Sequence, residues 1–91
     1  MSWTLVFTAQ YEKRAQRFLK RHPELEKQYL NTLQLMEVNP LHPSLRLHPL
    51  AGRLSGLHSV SINLSYRITL EFLIHDQEII PVNVGDHDSV Y

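Results

Sequence analysis

The sequence predicts an α+β fold: a small antiparallel β-sheet carrying an N-terminal helix hairpin on one face, in the order β-α-α-β-β-β. Three observations predict it. Apolar residues recur at helical spacing from about residue 9 to residue 38. From residue 57 onward they recur at every second position. Between the two stretches Pro40, Pro43, Pro49, Gly52 and Gly56 stop either pattern from running through.

Each element follows from its residues. Trp3-Thr4-Leu5-Val6-Phe7 is a β-rich alternation and reads as the first strand. Thr8 stands where a helix N-cap belongs. Tyr11, Ala15, Phe18 and Leu19 form one helical stripe, with Glu12, Lys13, Arg14, Arg17, Lys20 and Arg21 on the other side. His22 precedes Pro23 at the break, and Pro suits the first turn of a new helix. Leu25, Tyr29, Leu33 and Met36 carry that second helix to about Val38, and Asn39-Pro40 ends it. The segment 40–56 reads as a loop with a short extended piece at Leu45-Arg46-Leu47. Leu57 to Ile62 is a strand with Val60 and Ile62 on the side of His58. Tyr66 to Ile74 is the longest strand, with Tyr66, Ile68, Leu70, Phe72 and Ile74 on one face and Arg67, Thr69, Glu71 and Leu73 on the other. Ile79 to Val84 is the last. Pro81 cannot donate to a ladder, so this strand lies at an edge or contains a bulge. The expected core comprises Leu5, Phe7, Phe18, Leu33, Ile68, Leu70 and Val82.

The 91 residues make one domain, 1–91, with a thin core. With no Cys, thiol catalysis, thiolate metal sites and disulfides are excluded. No apolar run is long enough for a membrane span and no signal-peptide pattern opens the chain, so the expected location is the cytoplasm. Net charge is zero, but the balance is uneven. Residues 11–53 carry eight Lys/Arg and four Glu, whereas residues 54–91 carry Arg67 alone against five acids. The basic half either attracts a polyanion or is a solvated helix face.

A helix hairpin covers one face of a sheet and leaves the other available as a groove. Arg67 opens the polar side of the longest strand, permanently charged and shaped for bidentate phosphate contact. The competing reading pairs it with Glu71. The chain has six His, about three times ordinary usage. His48, His58 and His87 lie at element ends or strand positions flanking the sheet. Two imidazoles, one taking and one giving a proton, suit phosphodiester transfer near neutral pH. The spacing of His42, His48 and His58 matches no zinc pattern, so no metal and no cofactor is expected. There is no Gly-rich phosphate loop and no nucleophile elbow.

Leu47-His48-Pro49-Leu50-Ala51-Gly52-Arg53-Leu54-Ser55-Gly56, then Tyr66-Arg67-Ile68, then Gly85-Asp86-His87-Asp88-Ser89-Val90-Tyr91 together resemble the RelE/ParE toxin superfamily of type II toxin–antitoxin systems. Within it the pattern is most similar to the YafQ- and YoeB-like mRNA interferases, over nearly the whole chain. The resemblance implies a metal-independent endoribonuclease that cleaves mRNA, generally on the ribosome. Carried over by position, it implies His48 as general base, Arg67 on the scissile phosphate, His87 as general acid and Tyr91 as a terminal aromatic at the site. It places Arg53 among the basic loop positions that meet RNA; Arg46 and His58 are expected beside it. It also implies a cognate antitoxin protein, for which Lys13, Arg14, Arg17, Lys20 and Arg21 offer a landing strip. ParE-type members share the fold and inhibit gyrase, which leaves a non-enzymatic toxin, or a homologue that only binds its antitoxin, as the alternative. Ser61 and Ser65 stand where YafQ-like proteins have a His and an Asp.

Overall fold

The computed structural model describes residues 2–86. Its elements run β1 (Thr4–Leu5), α1 (Ala9–Arg21), α2 (Glu26–Val38), β2 (His48–Pro49), β3 (His58–Ser61), β4 (Tyr66–Leu73) and β5 (Glu78–Asp86). Short 3-10 turns occupy Pro23–Leu25, Pro43–Leu45 and Gly52–Leu54.

α1 starts at Thr8, whose hydroxyl accepts from the Tyr11 amide at 3.1 Å, satisfying one of the helix's orphan donors. Its buried stripe is Tyr11, Ala15 and Phe18. Pro23 opens the 3-10 turn that reverses the chain, and α2 then buries Tyr29, Thr32 and Met36. Tyr11 and Tyr29 meet between the helices, hydroxyl to hydroxyl, at 2.8 Å. Burial pushes the Tyr11 phenol well above its ordinary range, and Tyr29 beside it adds to the shift. Burial raises Tyr29 as well, partly offset by the hydrogen bond from Tyr11.

The five strands lie in the order β1-β5-β4-β3-β2. The β2–β3, β3–β4 and β4–β5 pairs are antiparallel, but β1 runs parallel to β5, so the sheet is mixed rather than antiparallel throughout. The two-residue β1 lies beside the far hairpin arm, at the edge of the sheet. β1 is shorter than Trp3–Phe7: Trp3 leaves the ladder to bond the Glu37 carbonyl and stack on Phe72. Leu45-Arg46-Leu47 is not extended. Leu45 ends a 3-10 turn and Arg46 is left-handed at φ 51°, so the short strand falls one step later at His48–Pro49. A register shift between Thr69 and Leu70 sets Leu70 opposite Pro81 and Thr69 opposite Asn83, leaving Val82 as the extra residue. The bulge expected at Pro81 is therefore present.

Val60, Ile68, Leu70, Ile79 and Val84 meet the helices and form the core with Phe18, Tyr29 and Met36. Of the expected core, Phe18, Ile68 and Leu70 are buried, while Leu5 and Leu33 pack at its margin. Phe7 does not belong to it: it is 41% exposed beyond the end of β1, stacked on Tyr11. Val82 is only half-buried, because the bulge turns it out of the alternation. Among the described residues no helix is long and apolar enough to cross a membrane.

Candidate functional site

Register decides which side chains share the second sheet face. Ser59 lies opposite Thr69, and Ser61 opposite Arg67, across β3 and β4. Asn83 and Gly85 continue those two rows on β5. His48 lies opposite Ser59 on β2. Paired residues project to the same side, so His48, Ser59, Ser61, Arg67, Thr69 and Asn83 belong to the face away from the helices. Strand spacing and rise put the His48 and Arg67 backbones about 12 Å apart, within span of two side chains reaching toward one substrate. Ser59 and Thr69, at 0% and 2% exposure, form a tight floor of small side chains between them.

Arg67 is half-buried. One guanidinium nitrogen, Nη1, donates to Ser61 Oγ at 2.9 Å, which fixes the plane of the group. Its Nε is buried without a hydrogen-bond partner. A buried donor left unsatisfied is costly and marks a place where an acceptor is missing. Among the described residues no ion pair joins Arg67 to Glu71, so the competing structural pairing is not formed.

His48 is exposed, and its Nδ1 lies 2.8 Å from the Arg46 carbonyl. A carbonyl only accepts, so Nδ1 donates and the neutral ring carries its lone pair at Nε2, the arrangement a general base needs. The carbonyl is in place because Arg46 adopts the left-handed conformation, unfavourable for a residue with a Cβ. The contribution of Arg46 to this contact is therefore a backbone one, and its exposed side chain flanks the groove. Arg53 is exposed on the Gly52–Leu54 turn that follows.

His58 is not part of this face. It lies opposite Leu70, on the side of Val60 and Ile68, its ring tilted against Phe72 at 5.4 Å. Its Nδ1 is buried without a partner. The placement expected for His58 among the residues that meet RNA is thereby corrected: it lies on the face of the sheet opposite to that of Arg67. His87 and Tyr91 lie outside the described residues. Among the described residues no group of His, Asp and Glu is arranged to hold a metal ion.

The basic face of α1 divides. Arg14, Arg17 and Arg21 line a cleft of about 360 Å³ with His22, Tyr66 and the end of β5, whereas Lys13 and Lys20 do not line it. β1 pairs only with the start of β5, the last bond running from the Val6 amide to the Ile79 carbonyl. Past that point the outer edge of β5 is closed by side chains. Arg14 Nη1 donates to the Val82 carbonyl at 2.8 Å, and the Asn83 side chain accepts from the Val84 amide at 2.9 Å.

The backbone of Arg46 and the side chain of Asn83 do not stand out in the sequence. Ser61 does so only as a departure from the YafQ-like pattern, and its partnership with Arg67 comes from the β3–β4 register.

No protein-family profile matches the chain, and no curated protein sequence does. Solved structures match over nearly its full length. YafQ from E. coli strain BL21(DE3) superposes with a TM-score of 0.71 at 20% identity, covering 98% of both chains. The E. coli DinJ–YafQ toxin–antitoxin complex gives a TM-score of 0.69 at 22% identity, covering 100% of this chain and 99% of that one. A YoeB/ParE toxin from Agrobacterium tumefaciens gives 0.72 at 15% identity, covering 92% and 98%. At these identities the likeness establishes a shared fold.

Proposed function

We propose that this chain, which has the α+β fold of the RelE/YafQ toxins, is the toxin of a toxin–antitoxin pair and cleaves mRNA without a metal. The observation that carries the reading is Arg67. Its guanidinium is held by Ser61 and has a buried, unsatisfied Nε, and it shares the uncovered sheet face with a histidine whose Nδ1 faces a carbonyl. That combination suits an anion whose neighbouring hydroxyl must lose a proton.

In this reaction the ribose 2′-oxygen attacks the adjacent phosphorus. The O2′–P bond forms and the P–O5′ bond breaks. His48 Nε2 takes the 2′-hydroxyl proton. Arg67 donates to the phosphoryl oxygens, offsetting charge that builds as the fifth bond forms. His87 is the residue assigned to protonate the departing 5′-oxygen, with Tyr91 at the rim of the groove. The products are a 2′,3′-cyclic phosphate and a 5′-hydroxyl. Arg46 and Arg53 flank the groove and meet the RNA backbone. A substrate presented by the ribosome needs little intrinsic affinity, which accords with a chain of zero net charge.

The antitoxin is assigned to the α1 side. Arg14, Arg17 and Arg21 offer charge to an acidic segment, and the outer edge of β5 past β1 carries the exchangeable contacts of Arg14 and Asn83. Lys13 and Lys20 extend the positive field along the helix.

Controlled expression tests the reading. New mRNA 5′ ends, mapped by primer extension and bearing 5′-hydroxyls, are expected with the intact chain and absent with Arg67→Ala or His87→Ala. Growth arrest without new mRNA ends would point instead to a non-enzymatic toxin.

A further inference from the structure

β2 covers only His58 and Ser59 of β3. Past them the strand edge faces the Pro43–Leu45 turn and α2, and a cleft of about 260 Å³ opens there. Asn31 and Gln28 of α2 line it on one side, Ser44 on another, and Ser61 and Ile62 close it against the sheet. Leu35 supplies a further apolar wall. Ser61 is a shared wall: it borders this cleft, and its Oγ also accepts from Arg67. Ser61 therefore separates the cleft, on the α2 side of the β3 edge, from Arg67 on the other face.

The geometry points to this cleft as a nucleobase pocket for the nucleotide attached to the phosphate on Arg67. The assignment rests on the RNA-cleaving reading of the Arg67 face and adds to it the place where base identity is read. A base on that nucleotide stands one ribose away from the phosphate, around the edge of β3. Leu35 and Ile62 provide apolar contact for its faces. The polar side chains provide for its edge, and most are already committed. Gln28 Oε1 accepts from Asn63 at 2.8 Å, Thr32 donates to the Gln28 carbonyl, and Ser44 Oγ lies 2.9 Å from His42 Nδ1. Asn31 is different, since among the described residues no hydrogen bond engages its amide. A primary amide sets a donor and an acceptor side by side, which matches the paired groups on a base edge and distinguishes bases by their order. The Asn63–Gln28 bond ties the Asn63-Leu64-Ser65 turn to α2 beside the cleft.

The test uses the full chain and uncleavable 2′-O-methyl dinucleotides, in which the attacking hydroxyl is blocked. Each of the four bases is placed in turn on either side of the phosphate. Binding is followed through the Arg67 Nε and Asn31 side-chain NMR signals. The expected result is that one base, on one side, binds about 10-fold tighter than the others, the scale of a paired base contact. Asn31→Ala levels the four bases to within about 3-fold, and Asn31→Asp, which keeps the shape but removes the donor, changes their ranking. Arg67→Ala weakens all four alike and keeps the ranking. If the Arg67 signal responds equally to all four bases and Asn31 does not respond, the cleft is a solvent-filled gap. The inference then fails while the Arg67 reading stands. If neither signal responds to any dinucleotide, this pocket is ruled out, while the RNA-cleaving reading is decided separately by whether the intact chain produces new mRNA 5′ ends.

Discussion

The two faces of the sheet are built from the same strands, one residue out of step. On the covered face Val60, Ile68 and Leu70 are excluded from water and packed on the helices. On the other face their immediate neighbours are Ser59, Ser61 and Thr69, nearly as well buried but polar, and the half-buried Arg67. The first set is held together by apolar burial, the dominant favourable term in folding. The second holds an arginine in one orientation and leaves one of its donors without an acceptor. Stability and chemistry are thus separable by parity along a strand, and substitutions on the two faces should fail in different ways.

The largest effect is expected at His48. Loss of a general base costs about 10²–10⁴-fold in rate, so His48→Ala should remove nearly all RNA cleavage in a single-turnover assay. The residue is exposed on a two-residue strand, so the thermal midpoint should stay within about 2–4 °C of wild type, on the scale of surface substitutions at about ±0.5 kcal/mol. Cleavage that survives in this variant would move the proton acceptor elsewhere. Ile68→Ala makes the opposite case. A cavity under the centre of the sheet should cost about 2–5 kcal/mol in urea denaturation, with cleavage per folded molecule retained.

Between the helices, Tyr11→Phe should cost about 1–2 kcal/mol, because one hydroxyl of a buried pair is left without its partner. Both phenols are held protonated by burial. The folded state therefore keeps protons that the unfolded chain releases above about pH 10. Their stabilising effect is complete below that pH and is lost as the pH climbs toward the raised folded values. Denaturation curves at about pH 8 and about pH 11 should show a smaller alkaline loss in Tyr11→Phe than in wild type. The smallest effect belongs to Thr69→Val. The Thr69 hydroxyl makes only a 3.5 Å contact with the Asn83 carbonyl, so its loss should change stability by less than about 1 kcal/mol. A larger loss would mean that the floor of the groove depends on that contact.

The alternation from Tyr66 to Leu73 is legible because a period of two, sustained over eight residues, fits a strand and not a helix. So is the Thr8 cap, and so is the disturbance at Pro81, where a missing amide must break a ladder. The parallel pairing of β1 is not legible: two residues carry no register of their own, and tertiary packing sets it. Arg46 in a left-handed conformation is equally hidden, since nothing in an Arg side chain asks for it. For the site, Arg67 is legible as an odd charge on an alternating strand, whereas Ser61 depends on pairing across a turn. The place of His58 on the covered face is implied by its parity with Val60 and Ile62, and the family resemblance obscures it. Half of the assigned acid–base pair, His87, lies outside the described residues together with Tyr91.

Arg67 offers the most direct test, through cleavage rate and thermal midpoint measured together on Arg67→Ala and Arg67→Lys. If Arg67 clamps the phosphoryl oxygens, both variants lose cleavage while their midpoints stay close to wild type. Alanine should lose about 10–100-fold more than lysine, because lysine keeps the charge and gives up only the planar fork. Full cleavage by Arg67→Ala, or a fall in midpoint that accounts for all the lost activity, would contradict the assignment of this sheet face as the reaction centre.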